Sequence, residues 1–227
     1  MKMIKSSSGL FCLIAVATLT GSGSKTFAEP SAKITLVKNS VFITSFAAGQ
    51  EKKQPAKEQE VVKANHVVTT GRKSMAELEF QDKTVARLGQ YAVFTFKKDK
   101  REFDLLHGSG LFNVTPSTEV LSVKTAAVTA AVTGTTLLVQ SFQGLDAVFV
   151  YEGSVSIGGQ ILTAGQVYVM QDGVGKIFAF DPAQTSSRSS LFVEVEEGSA
   201  FDVQFQEMTG QAPVPPVEDH RNQTPLN

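Results

Sequence analysis

The sequence predicts an all-β fold: a single β-sandwich or β-roll of many short strands, solenoid-like in its spacing, with a disordered C-terminal tail. Three observations predict it. Between residues 33 and 180, apolar and polar residues alternate with period two in short runs, the mark of strands with one wet face. Those runs are rich in β-branched and aromatic residues, which pleated surfaces favour. Glycines recur between them, and short strands at regular spacing with turn signals indicate a sandwich, barrel or roll. No long helical period alternates with the strands, which disfavours a doubly wound parallel fold.

The elements run in order along the chain. Ala76-Glu77-Leu78-Glu79-Phe80 alternates apolar with acidic residues. Ala92, Phe94 and Phe96 share one face of the next run, and Phe103 and Leu105 share one face after Lys97-Lys98-Asp99-Lys100-Arg101. That charge run, set between two alternations, reads as a solvated hairpin loop. Phe112 and Val114 flank Asn113, Leu121 and Val123 flank Ser122, and Val155 and Ile157 alternate with Ser154 and Ser156. Residues Ala126 to Ala131 are helical by composition, but Val128, Thr129, Val132 and Thr133 restrict them to an extended segment. Ala47 to Glu60, polar and charged between two apolar runs, reads as an exposed loop. Leu191 to Phe205 is apolar enough to fold back on the domain as a last strand or short helix. Gly-Ser pairs at 108–109, 153–154 and 198–199 stand at equal spacing, yet their surroundings match poorly, so a repeat is the weaker reading.

Residues 1–28 read as a secretory signal peptide. Lys2 and Lys5 precede the apolar run Leu10 to Leu19, and small and polar residues lead to Ala28, after which cleavage is expected. The run is about half of the roughly 20 residues that a membrane span needs, and no later run is long enough, so the processed chain is not expected to span a membrane. Cys12, the only cysteine, lies near the start of the apolar run behind Leu10-Phe11, not at its end where lipid attachment would place it. Cleavage removes that thiol, and with it any disulfide framework, thiol nucleophile or cysteine metal ligand. It also removes Lys2, Lys5 and Lys25 and no acid, which moves the net charge from −1 to −4. A nucleic-acid binder carries a basic stripe, and none is present. The remaining organisation is an all-β domain over residues 29–205 and a Pro-containing disordered tail over 206–227.

No residue set supports an enzyme. His220 falls in the tail, while His66 and His107 border apolar runs, where a half-buried structural histidine is the ordinary outcome. Glu102 and Asp104 share a strand face, and paired carboxylates can cleave glycosides, but beside Lys100 and Arg101 they read as a solvated edge. Gly108-Ser109-Gly110 lacks the spacing of a nucleophile elbow. Gly71-Arg72-Lys73-Ser74 lacks the preceding glycine and following helix of a phosphate loop. Metal-ligand spacings are absent. We therefore assign no catalytic residue, no cofactor site and no metal site.

Four stretches in order resemble the FecR domain family. They are Asn65 to Gly89, with Thr70-Gly71 and Arg87-Leu88-Gly89 at its two turns; Leu105 to Val114; Val123 to Val139, containing Thr133-Gly134-Thr135; and Val148 to Gln166, containing Glu152-Gly153-Ser154 and Ala164-Gly165-Gln166. The resemblance centres on residues 60–170. In this reading the glycines determine the fold and contact no ligand, and Glu152-Gly153-Ser154 forms a tight hairpin turn. One departure is Lys83, where the family has glycine after the aspartate; lysine implies a different turn. The resemblance implies a module outside the cytoplasm that contacts a protein partner in a signalling or scaffold role. The membrane anchor of the sigma-factor regulators in that family has no counterpart in this reading. The expected location is periplasmic or secreted. The expected partner is an envelope protein met at an exposed strand edge; the alternative is a cell-wall or polysaccharide ligand on Tyr91, Tyr151 and Tyr168.

Overall fold

The computed structural model describes residues 30–183, apart from residues 48 and 143. The expected leader, Leu191 to Phe205, the Gly-Ser pair at 198–199, the tail and His220 lie outside the described residues. The described chain is all β, with seventeen strands in one connected hydrogen-bonded system. They are β1 (Ser31–Lys38), β2 (Val41–Ala47), β3 (Gln50–Pro55), β4 (Val61–Lys63), β5 (Val67–Thr70), β6 (Met75–Phe80), β7 (Val85–Leu88), β8 (Val93–Phe96), β9 (Glu102–Val114), β10 (Leu121–Lys124), β11 (Thr129–Val132), β12 (Thr135–Phe142), β13 (Leu145–Glu152), β14 (Ser154–Ile157), β15 (Gln160–Thr163), β16 (Gln166–Gln171) and β17 (Val174–Ala179). Among the described residues no helix is long and apolar enough to cross a membrane.

The ladder folds into two layers. The first sheet runs β4-β1-β6-β7-β9-β12-β13-β16-β17. The second runs β3-β2-β5-β8-β9-β10-β11-β14-β15. β9 belongs to both: its first half pairs with β8 and, in parallel, with β10, and its second half pairs antiparallel with β7 and β12. From β10 onward the chain alternates strand pairs, two in the second sheet, two in the first, then two in each again. The fold therefore grows sideways as a roll.

The layers close on one apolar core. Ile34, Leu78, Leu88, Phe112, Leu137 and Val148 face inward from the first sheet, and Ile43, Val68, Phe94, Phe103, Val123 and Val155 from the second. Rings bridge the layers: Phe80 meets Phe96 edge-on at 5.0 Å and stacks on Phe103 at 4.4 Å, and Phe94 lies 6.1 Å from Phe112. Such pairs add about 0.5–1.5 kcal/mol each beyond burial. The alternation read over Ala92–Phe96 and Phe103–Leu105 is the inward face of the second sheet, and the Lys97–Arg101 run is the hairpin between β8 and β9.

Glycine is required where the chain changes layer. Gly108 (φ +90°) is the point at which β9 leaves the second sheet; a Cβ there would lie 2.6 Å from the Ala92 Cα. Gly153 (φ +77°) separates β13 in the first sheet from β14 in the second, and its Cβ would meet the Gly134 carbonyl oxygen at 2.5 Å. Glu152-Gly153-Ser154 is thus a corner between layers and not a hairpin. The Gly-Ser pairs at 108 and 153 switch layers in opposite senses, so their equal spacing reflects no repeated unit.

Two further expectations change. Residues 47–60 are not a loop throughout, because Gln50–Pro55 pairs with β2 as the outermost strand of the second sheet. Lys83 takes φ +67° between β6 and β7, while the Asp82 carboxylate accepts from the Thr84 amide at 2.9 Å. Lysine here holds the left-handed conformation that glycine adopts without strain.

Candidate functional site

A partner can reach this fold most directly at its edges, where strands carry unpaired backbone groups. Among the described strands, β3 and β4 end the two sheets on one side, and β15 and β17 end them on the other. The two sides differ in chemistry. β3 is QEKKQP, exposed along nearly its whole length, with Lys52 and Lys53 at its centre. β4 has three residues. Lysines, proline and short length are the devices that keep an edge from pairing.

The opposite side carries less of this protection: β17 has the single lysine Lys176, and β15 has four residues. Every residue of β17 is exposed, with Val174 at 57%, Ile177 at 39% and Phe178 at 51%. In β15, Ile161 is 72% exposed. β17 pairs with β16 in a regular antiparallel register from Gln166↔Ala179 to Gln171↔Val174. Both residue rows of β17 face solvent.

The ionisable groups weighed from the sequence are held in pairs. Glu102 and Asp104 sit on β9, flanked by β8 and β10 in the middle of the second sheet and not at its edge. Lys124 bonds Glu102 at 2.7 Å and Lys97 bonds Asp104 at 2.8 Å. The hydrogen bond from Lys124 holds the Glu102 carboxyl below its ordinary range against the opposing effect of burial, and the same bond raises the Lys124 ammonium. Burial works to raise the Asp82 carboxyl, but bonds from Arg101 and Thr84 outweigh it and leave it lowered. Arg101 also donates to the Glu119 carbonyl at 2.6 Å. Asp82, Lys97, Arg101 and Glu102 line a cleft of about 520 Å³ together with Phe80, Phe96 and Phe103.

His107 packs edge-on against Phe142 with ring centres 5.6 Å apart. The His66 carbonyl accepts from the Thr95 hydroxyl at 2.8 Å. No group of three His, Cys, Asp or Glu able to hold a metal occurs among the described residues. The three tyrosines are not on one surface. Tyr91 is in the turn before β8, Tyr168 is in the core between the layers, and Tyr151 lies on the opposite face of the first sheet, where burial raises its hydroxyl well above the ordinary range. The three tyrosines therefore do not form one aromatic platform.

One pair escaped sequence reasoning. Glu77, read as part of a wet face, is fully buried with Arg87, at 0% exposure for both. The Arg87 Nε and Nη2 donate to Glu77 Oε2 at 2.9 and 2.8 Å, and the Thr35 hydroxyl donates to Oε1 at 2.8 Å. The Arg-Leu-Gly triplet over 87–89 was the available signal. Its arginine is one strand across from Glu77 in the β6–β7 register.

The family comparison addresses the same strands. The FecR protein family model matches residues 66–156. The chain carries a FecR domain. That domain runs from the residue before β5 into β14, so it takes in the Glu77–Arg87 pair and both layer switches at Gly108 and Gly153, while β15 to β17 lie beyond it. Two crystal structures from Parabacteroides distasonis ATCC 8503, each of a candidate anti-sigma factor, are similar in fold. One has 19% identity and a TM-score of 0.48, covering 53% of this chain and 62% of that chain, less than two thirds of its length. The other has 19% identity and a TM-score of 0.49, covering 64% and 75%. Likeness at that level carries no argument about function. A search of curated proteins finds no match.

Proposed function

We propose that this chain is an exported, non-catalytic FecR-domain protein that binds a protein partner in the cell envelope, in a signalling or scaffold role, by accepting an extended segment at the β17 edge. The observation that carries the reading is the contrast between edges: Val174, Ile177 and Phe178 are exposed on one outer strand, and Lys52 and Lys53 occupy the other. Backbone pairing supplies affinity in strand addition, and alternate side-chain contacts supply specificity. The FecR domain supports a regulatory role and provides the rigid layers that present the edge. Periplasmic or secreted location rests on the charged, apolar and small-residue zones of residues 1–28.

The test is site-specific photo-crosslinking in the native host. A crosslinker at Ile177 should give one defined protein adduct, and one at Lys52 should give none. Placing lysines at Val174 and Phe178 should abolish the Ile177 adduct while leaving the melting temperature unchanged. Equal adducts at Ile177 and Lys52, or none at Ile177, would refute the reading.

A further inference from the structure

The face of the first sheet turned away from the second is apolar and closed to solvent, yet no described strand lies over it. Leu36, Met75, Val85, Leu111 and Leu138 form a second cluster on this face, with Phe149 and Tyr151 packed beside them. At its centre lie Glu77 and Arg87, both at 0% exposure. All seventeen described strands belong to the two sheets. A bare outer face would leave this ion pair in water, and a fully buried pair needs a cover that keeps its hydrogen bonds closed.

The chain itself leads there. Phe180, just past β17, packs its ring on Phe149 at 5.3 Å and on Tyr151 at 5.2 Å. The described chain thus reaches this face at Phe180, three residues before its end at Ala183. From β13, the strand of Phe149, three strand spacings of about 4.8 Å reach Val85 on β7. Residues 184–190 extend up to about 3.4 Å each, which is ample for the roughly 14 Å involved.

The sequence beyond residue 190 has the right pattern for such a cover. Leu191, Val193 and Val195 alternate with Phe192, Glu194 and Glu196, and Phe201, Val203 and Phe205 alternate with Asp202, Gln204 and Gln206. Each stretch has one fully apolar row, and the opposite row is acidic from Glu194 and polar throughout from Asp202. We propose that the segment Leu191 to Phe205 lies over the outer face of the first sheet as a third layer, with its apolar rows on Leu36, Val85, Leu111 and Leu138. A short tether gives that segment an effective concentration of order millimolar, so it outcompetes a second copy for the face.

The experiment uses the full chain with Cys12→Ser, which removes the only cysteine, and Thr136→Cys, a near-isosteric thiol on the buried row of β12. Lys52→Cys serves as the exposed control. Thr136→Cys should react with a maleimide at least about 100-fold more slowly than the control, at every protein concentration. Adding Val193→Asp, Phe201→Asp and Val203→Asp should bring it near the control rate. Equal rates in the parent, or protection that survives the three aspartates, would overturn the proposal, and so would protection lost on dilution, which assigns the face to a second copy. A photo-crosslinker at Thr136 gives an independent reading that needs no destabilising change. An intramolecular product with residues 191–205 supports the proposal, and a product elsewhere, or between two chains, refutes it.

Discussion

Arg87→Met should be the most damaging single substitution on the outer face of the first sheet. It removes the guanidinium but keeps most of the apolar stem. Glu77 then retains one side-chain donor, the Thr35 hydroxyl at 2.8 Å, in place of three donor atoms. Leaving a buried carboxylate without its cation costs about 3–5 kcal/mol. A domain of this size has about 5–15 kcal/mol in all, so about a fifth or more of the stability should go. At about 2–4 °C per kcal/mol, the melting temperature should fall by roughly 6–20 °C. The companion variant carries Glu77→Leu and Arg87→Met together, which removes both charges and should recover most of the loss, since apolar replacement of a whole buried pair is neutral or stabilising by about 1–4 kcal/mol. Urea unfolding followed by circular dichroism reads both, which suits a protein with no tryptophan. If Arg87→Met costs less than about 1 kcal/mol, or the double variant is the less stable of the two, then the pair is not sealed from water and the reasoning built on its burial fails.

The other predictions are smaller in scope. Gly153→Ala should cost more than Gly158→Ala by at least about 1 kcal/mol in urea melts: both positions have positive φ, but only Gly153 has a neighbour, the Gly134 carbonyl oxygen at 2.5 Å, where the new Cβ must go. Lys83→Gly should stabilise by up to about 1 kcal/mol by relieving the left-handed strain, and a melting temperature that drops would refute this account of the β6–β7 turn. Glu102 is lowered from 4.5, so its contribution is present above that pH and is lost as the pH falls through the folded value; Lys124 is raised from 10.5, so its share is present below that pH and is lost as the pH rises through the folded value. Glu102→Gln should therefore flatten the acid limb of the thermal stability profile. An acid limb identical to the parent's would show that the Lys124 bond does not set it.

Much of the fold was legible because the core is written in period two. Ala92, Phe94 and Phe96 fall on one inward face and Phe112 and Val114 on another, so the strands and their buried sides could be read directly. The layer exchange was not legible. A glycine at positive φ looks the same in a hairpin as at a corner, and Glu152-Gly153-Ser154 became a corner because β13 and β14 find their partners in different sheets. β3 was missed because an edge strand needs only one ladder and no apolar face, so its lysines and glutamate resemble a loop. Glu77 and Glu79 looked alike in sequence, yet Glu77 is fully buried while Glu79 remains partly exposed beside Lys83. What separates them is the arginine opposite Glu77, a cross-strand fact that one strand's pattern cannot hold. The edge proposed as the partner site was hidden for a related reason, since exposure of Ile177 and Phe178 depends on what does not pack beside them.

The strand that serves both sheets also has a mechanical meaning. β9 is a single covalent thread stitched through the two layers at their middle, with Gly108 as the eye through which it passes. Sliding one layer across the other would have to break the hydrogen-bonded ladders that hold β9 in both sheets and not merely apolar contacts. A tug delivered at the outermost strand should accordingly be felt by the whole body at once, so that the domain responds to load as a rigid block.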